Sequence, residues 1–269
     1  MHLESISQVN AITKQIIVSR IIAINNFIAL LAISFLEACK IIFNEVLKGR
    51  LYSDNFFDNL RKIIWTCLPI ATLTISASSI VYSIHVAPAF SSRGLSSYLG
   101  GIVALAIIRE SAPVMGSLAI VTQYCTGMTA MIGSMKITEQ IDAMKMAKVN
   151  PVAYLLVPML LAGLIGFPIV IAMCMFLGIL ITYISSTFLI HISFHLFISS
   201  ILKAVVLKDI LLALVKASFF GFFVTLVSFT SGMQTVGGSK ALGQATRLSV
   251  VTNFALVVIL DYIITSLWL

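Results

Sequence analysis

The stretch PVAYLLVPMLLAGLIGFPIVIAMCMFLGILITYISST, from Pro151 to Thr187, contains no charged side chain. A helix needs about 20 apolar residues to cross a bilayer, and this stretch is longer than that. Hydrophobic residues make up 59% of the 269 positions and the mean hydropathy is +1.08, whereas soluble domains are roughly 45–50% apolar. The apolar runs are continuous rather than alternating, so the sequence predicts an all-α polytopic membrane protein.

Five apolar segments are long enough to cross a membrane. The predicted spans are Ile63–Val86, Tyr98–Gly133, Pro151–Thr187, Asp209–Gly232 and Leu248–Leu269. The second segment would measure about 54 Å as a straight helix, which exceeds a bilayer, so it must tilt, bend or protrude. Pro113 is the candidate bend, because proline interrupts the helical hydrogen-bond pattern.

The chain is predicted to form a single domain, with an N-terminal region over residues 1–62 and a transmembrane core over residues 63–269. In Ile16–Leu47 the uninterrupted apolar run is too short to span, so helices lying in the membrane interface are expected. Lys48–Lys62 is predicted as a polar loop. Met1–Lys14 lacks the pattern of a cleaved signal peptide.

Basic residues set the predicted orientation. Arg61 and Lys62 precede the first span, and Lys and Arg are enriched in cytoplasmic loops, so this span is expected to start in the cytoplasm. Five spans then place the loop that holds Lys240 and Arg247 in the cytoplasm as well. The net charge of +7 follows from this topology, and no nucleic-acid partner is expected.

A charged segment, SMKITEQIDAMKMAKVNP (Ser134–Pro151), interrupts the apolar sequence on the cytoplasmic side. Its residues favour a helix from Thr138 to Lys148, ended by the proline. On that helix Glu139 and Asp142 share one side, with lysines at supporting i,i+3 distances. The segment is either a loop helix on the lipid headgroups or a docking helix for a separate ATPase, in which charge would set the register and Ile141 and Met144 would supply the apolar contact.

Three motifs resemble those of the MlaE/YrbE permeases of ABC-type lipid transporters, from about Pro69 to the C-terminus. They are RESAPV from Arg109, GSMKITEQIDAM from Gly133, and the C-terminal GGSKALGQATRLSV from Gly237. The resemblance implies a coupling helix that meets the ATPase. Its residues would include Lys136, Thr138, Glu139, Gln140, Ile141, Asp142 and Met144.

The resemblance also implies partners and a location. The chain would be a non-enzymatic permease, paired with itself, in a bacterial inner membrane. A separate ABC ATPase subunit would bind ATP and magnesium, since this chain is expected to hold no cofactor. A periplasmic MCE-domain protein would exchange phospholipid with it to maintain outer-membrane asymmetry, and a STAS-domain protein is a further possible partner.

Two positions depart from the family pattern. Gln123 stands where the family usually has arginine, and Met131 stands where it usually has glutamate. Both charges are missing together, and if the two residues pair in the family, their joint loss leaves neither partner unpaired.

Charged side chains also occur deep in the predicted spans. Burying a charge at that depth in the membrane costs free energy, so such side chains are expected to face the protein interior. The residues concerned are Arg109, Glu110, Lys216 and Asp261. Either they form an ion-pair network that fixes the packing, or some line a cavity for a lipid headgroup. The resemblance favours Arg109 and Glu110 as lipid-pathway residues and leaves Lys216 and Asp261 as structural.

Other chemistries find little support in the sequence. GMQTVGGSK, from Gly232, lacks the ending of a phosphate-binding loop. His191 and His195 are four residues apart but have no third ligand, so no metal site is predicted. The alternatives left open are an ion-coupled secondary transporter without an ATPase and a membrane enzyme that uses these histidines.

Overall fold

The fold is an all-α bundle. A computed structural model describes residues 29, 31–37, 39–41 and 53–268, and no strand occurs among them. The helices from residue 53 onward are α1 (Ser53–Ser91), α2 (Ser96–Ile137), α3 (Gln140–Met146), α4 (Val152–Ile190), α5 (Phe194–Ala204), α6 (Leu207–Met233) and α7 (Ser239–Trp268). Within these ranges α1, α2, α4, α6 and α7 are long and apolar enough to cross a membrane, which confirms the predicted class and the five spans.

Two predicted loops are shorter than expected. The prediction of a polar loop over Lys48–Lys62 is wrong from Ser53 onward, because α1 starts there. The prediction of a loop that holds Lys240 and Arg247 is also wrong, because α7 starts at Ser239 and includes both residues. Hydropathy locates the membrane boundary, but a helix can continue past it through residues that favour helix, such as Lys and Arg.

The core lies where α4 packs against α1 on one side and α6 on the other. The backbones of α4 and α6 meet at Gly163 and Gly221. A Cβ on Gly163 would lie 2.8 Å from the carbonyl oxygen of Gly221, and a Cβ on Gly221 would overlap the carbonyl of Gly163. Small residues allow such close approach in membrane helix pairs.

The helix α2 is irregular at two places. Residues Ile107–Ser111 and Val121–Cys125 form π-helical turns. Pro113 lies just after the first of them, so the predicted irregularity is present near this proline. π-Turns re-aim the side chains they carry and are frequent at functional sites.

The described N-terminal residues are helical and contact the bundle. Phe35 packs edge-on against Phe222 of α6, with ring centroids 6.0 Å apart. The segment predicted to lie in the interface extends over residues 16–47, and most of it lies outside the described residues.

The short helix α5 is fixed against the start of α2. The hydroxyl of Ser200 accepts a hydrogen bond from the backbone N–H of Gly101 at 2.9 Å. α5, which covers Phe194–Ala204, is therefore a separate short helix that packs on the bundle.

Candidate functional site

Five charged side chains form a cluster between α2, α6 and α7. The first pair joins Arg109 of α2 to Asp209 of α6. Nη2 of Arg109 lies 2.7 Å and Nε lies 2.8 Å from Oδ1 of Asp209. The other carboxylate oxygen of Asp209 accepts a hydrogen bond from the N–H of Val206 at 3.0 Å, so the same side chain caps the start of α6.

Lys216 is the centre of the second half of the cluster. Its Nζ lies 3.1 Å from Oε1 of Glu110 and 2.8 Å from Oδ1 of Asp261. The contact with Asp261 is an ion pair without the alignment of a hydrogen bond. Lys216 is fully buried. Its ammonium group joins α6 to α2 and α7.

Pro113 explains a further contact of Lys216. In an α-helix the N–H of residue 113 would donate to the carbonyl of Arg109, but proline has no N–H. Nζ of Lys216 donates to this carbonyl at 3.0 Å. The proline and the lysine therefore complement each other across two helices.

The cluster has a buried side and an open side. Asp209 and Lys216 are almost fully buried, whereas the side chains of Arg109 and Glu110 are 46% and 48% exposed. Charges at membrane depth usually face a polar cavity or another subunit. The open side therefore presents a guanidinium and a carboxylate to whatever adjoins the bundle there.

The cluster lies toward one face of the predicted membrane. Arg109 is about 20 Å along α2 from its first residue, Asp209 is in the first turn of α6, and Asp261 is near the end of α7. These three helix ends point to the side opposite the cytoplasm in the predicted orientation. In that predicted orientation, the cluster lies in the non-cytoplasmic half of the bundle.

The sequence predicted part of this cluster. Arg109, Glu110, Lys216 and Asp261 were all expected to face the interior, and the structure brings them together. Asp209 was missed, because it was taken only as the first residue of a span. Its spacing of seven residues from Lys216 places both on one side of α6 and was the available signal.

The charged segment that is predicted to be cytoplasmic forms α3, which is shorter than predicted. The helix covers Gln140–Met146, and left-handed residues flank it, Glu139 with φ 61° and Lys148 with φ 59°. Nζ of Lys136 lies 2.8 Å from Oδ2 of Asp142, and Nζ of Lys145 lies 3.4 Å from Oδ1. The hydrogen bond from Lys136 holds the pKa of Asp142 below its ordinary value. The segment is thereby fixed to the end of α2.

The apolar face of α3 is turned toward the bundle. Ile141 is fully buried in the core and Met144 is half-buried against it. In this structure Ile141 is covered by its own chain, so a contact between Ile141 and an ATPase stays a prediction that would require α3 to move away from the bundle. Met146 is 86% exposed and is the apolar side chain of α3 that a partner could reach.

The outward surface of this segment is polar. Thr138, Glu139 and Gln140 are exposed at its start, and Lys145 is exposed further along. Sequence reasoning placed these residues on the helix but could not separate the covered face from the free face.

The remaining candidates do not converge. α4 ends at Ile190, and His191 takes a left-handed conformation with φ 51° before α5 begins at Phe194. His191 and His195 therefore lie on opposite sides of a helix break. Within the described ranges no three His, Cys, Asp or Glu side chains form a metal site.

Comparison with known proteins gives one consistent family. The family described as permease MlaE matches residues 56–267. A probable ABC transporter permease protein of Synechocystis sp. is 30% identical over 228 residues, which cover 85% of this chain and 86% of the relative. A probable ABC transporter permease protein of Rickettsia typhi is 28% identical over 227 residues, which cover 84% of this chain and 88% of the relative.

A plant protein is also similar. Protein TRIGALACTOSYLDIACYLGLYCEROL 1, chloroplastic, of Arabidopsis thaliana is 28% identical over 222 residues. These residues cover 82% of this chain and 63% of the relative.

Proposed function

The chain belongs to the permease MlaE family, and on that premise we propose that it is the membrane subunit of an ABC transporter that moves phospholipid or a related lipid. The observation that carries the proposal is α3. It is a short cytoplasmic helix, fixed to α2 by the Lys136–Asp142 ion pair, with an outward polar surface and Met146 exposed. Such a helix can seat in a groove of a separate ATPase and transmit its movement.

The path of transmission runs through α2. This helix extends from Ser96 to Ile137, so its cytoplasmic end carries α3 and its other half carries Arg109 and Glu110. Closure of the ATPase on ATP and magnesium would displace α3 and, with it, the helix that bears these charges. The permease itself would break no covalent bond.

The substrate class is supported by two observations. The similar plant protein bears the name of a galactolipid, and the open side of the charged cluster offers both signs of charge. Arg109 can bind a lipid phosphate as a charge-assisted donor, and Glu110 can accept from an amine or a hydroxyl of a headgroup. Arg109 and Glu110 are therefore proposed as residues of the lipid pathway.

The wider assembly follows from the family resemblance. We propose a permease homodimer in a bacterial inner membrane, which exchanges lipid with a periplasmic MCE-domain partner and supports outer-membrane asymmetry. A STAS-domain protein is a further proposed partner on the cytoplasmic side.

The test is co-purification from mild detergent, followed by mass spectrometry of the bound proteins. An ATPase is expected with the native chain and is expected to be depleted by Asp142→Lys, because the reversal turns an ion pair with Lys136 into a repulsion. Glu139→Lys changes the outward surface directly and should also reduce recovery of the ATPase.

Asp58→Lys is the matched control. Asp58 is an exposed acid on the cytoplasmic part of α1, so the same charge change occurs away from α3. Equal recovery of the ATPase with the native chain and all three variants would overturn the docking role of α3.

One observation favours a second function. Glu110, Lys216 and Asp261 form a continuous set of ionisable groups between three helices, as in proton relays of ion-coupled transporters. Lipid movement by the chain alone that follows a proton gradient, with no ATPase present, would establish this alternative.

A further inference from the structure

A cavity of about 210 Å³ opens between the first part of α1 and the last part of α2. It is separate from the charged cluster, which occupies the other half of the bundle. Lys62 and Thr66 line it from α1, and Gln123, Gly127 and Met131 line it from α2.

The back wall of the cavity is ordered by the protein itself. The hydroxyl of Tyr124 donates a hydrogen bond to Oδ1 of Asn59 at 3.1 Å, and both residues are buried. Met128, also buried, completes this wall. The cavity is thus already shaped by contacts within the chain.

Neighbouring residues place the cavity at the level of the cytoplasmic headgroups. Trp65 is 73% exposed, Arg61 and Lys62 are exposed beside it, and the apolar run of α1 begins at Ile63. Tryptophan and basic residues concentrate at membrane interfaces. A lipid of the cytoplasmic leaflet can therefore reach the cavity directly.

The charge of the residues that line the cavity favours a ligand of negative charge. Lys62 is the charged side chain of its lining, and it forms no salt bridge with any residue in the described ranges. Asp58, one turn earlier on α1, does not line the cavity. The residues of α2 that line the cavity, Gln123 and Met131 among them, are uncharged, so Lys62 is left to bind an anion.

The size of the cavity decides between a soluble ligand and a lipid. Pockets that enclose a drug-sized molecule measure roughly 300–1,000 Å³, so this cavity is too small for one. It is large enough for part of an acyl chain, and its lining is mostly apolar.

We propose that this cavity is a binding site for an anionic phospholipid of the cytoplasmic leaflet. The phosphate lies against Lys62, and a segment of one acyl chain packs over Gly127 and against Met131. The site is distinct from the proposed lipid pathway at Arg109 and Glu110, and it does not depend on transport.

Native mass spectrometry of the purified full chain tests the site, with phosphatidylglycerol or phosphatidylcholine added in detergent. The native chain is expected to bind phosphatidylglycerol more tightly. Lys62→Gln should weaken that binding about fivefold, since a basic residue near a membrane surface contributes about that factor. Gly127→Leu should weaken it too, because Gly127 lines the cavity and nothing lies within 4 Å of a Cβ at this position, so the leucine side chain would occupy space that the acyl chain needs.

Two matched controls separate the site from general effects. Lys240→Gln removes another exposed cytoplasmic lysine, and Gly243→Leu adds the same side chain where a Cβ also meets open space. Both should bind phosphatidylglycerol as the native chain does. Equal binding of the two lipids by the native chain, or equal binding by the test and control variants, would overturn the proposal. The assay contains neither ATP nor ATPase, so failure of the transporter assignment leaves its result unaffected.

Discussion

Lys216 shows why a buried charge can be retained in a membrane bundle. Its ammonium group donates hydrogen bonds to Glu110 and to the carbonyl of Arg109 and forms an ion pair with Asp261, so the buried charge is compensated within the bundle. Removing one member of such a buried set leaves the others without compensation, which costs more than the set contributes when it is intact.

Lys216→Met should therefore destabilise the bundle by about 3–5 kcal/mol. The methionine matches the lysine in length but leaves Asp261 unpaired among apolar helices. Thermal unfolding in detergent, followed by size-exclusion chromatography, measures the effect. The double variant Lys216→Met/Asp261→Leu also removes the more buried of the two carboxylates and leaves Glu110, which is 48% exposed, so it should recover most of the loss. A double variant no more stable than the single one would contradict this expectation.

Arg109→Ala should lower the amount of lipid that co-purifies with the complex, because Arg109 supplies the cation on the open side of the cluster. Lipid extraction and mass spectrometry measure the occupancy. Arg109→Lys is the conservative control and should retain part of it, since it keeps the charge but loses the fork geometry. Unchanged occupancy in Arg109→Ala would remove this residue from the lipid pathway.

Single residues also mark what the sequence could predict. The depth of Arg109 and Glu110 indicated an interior role, because charge at depth is costly. The sequence could not show which helix supplies their partners. Arg109 and Asp209 are 100 residues apart along the chain, and their contact depends on how α2 and α6 pack. The burial of Ile141 within its own chain could not be predicted for a related reason: periodicity identifies an apolar face but not what covers it.

At the scale of elements, α4 and α6 are joined by a contact between backbones. Gly163 and Gly221 leave no room for a side chain at this crossing, so the pair depends on dispersion contacts over a short helix–helix distance.

Gly221→Ala should destabilise the protein by about 1–3 kcal/mol, because its methyl group overlaps the carbonyl of Gly163 and forces the helices apart. Gly243→Ala, on the open surface of α7, should instead stabilise it by about 0.5–1 kcal/mol through helix propensity. Thermal melting of both variants in one detergent checks the opposite signs. Stabilisation of both variants would show that propensity, and not the crossing, determines the response.

The ion pair of α3 predicts a pH dependence. Lys136 lowers the pKa of Asp142, so the pair stabilises the segment above the ordinary carboxyl pKa, and this contribution is lost as the pH falls through the lowered value. Asp142 should therefore stay ionised from pH 6 to 8, and its contribution to retention of the ATPase should be constant over this range. Asp142→Asn should reduce retention equally at both ends of this range, and a difference between native and variant that vanishes at pH 6 would contradict the pKa direction.

At the scale of the whole molecule, five crossings place the two ends of the bundle on opposite sides. Composition and run length were sufficient to predict this architecture, because the hydrophobic thickness of a bilayer fixes how many apolar residues a helix needs. Bilayer thickness does not determine where a helix ends outside the membrane, so the predicted starts of α1 and α7 are too late in the sequence.

The orientation can be tested by cysteine labelling in vesicles of known sidedness. Among the described cysteines Cys39 is exposed, and Cys67, Cys125 and Cys174 are buried, so Cys39→Ser gives a quiet background. In it, Lys240→Cys should react with a membrane-impermeant maleimide only in inverted vesicles, and Lys203→Cys only in right-side-out vesicles. The reverse pattern would place α3 and its proposed ATPase on opposite sides of the membrane.

The contact between Lys216 and the carbonyl of Arg109 has an evolutionary consequence. A relative that replaces Pro113 regains an N–H that can donate to this carbonyl. The residue at position 216 is then no longer needed as the donor to it, which is one of the three contacts that Lys216 makes here. A relative that replaces Lys216 while keeping the proline leaves the carbonyl without this donor. Positions 113 and 216 are thus expected to change together during divergence, although they lie on different helices and neither side chain is a substitute for the other.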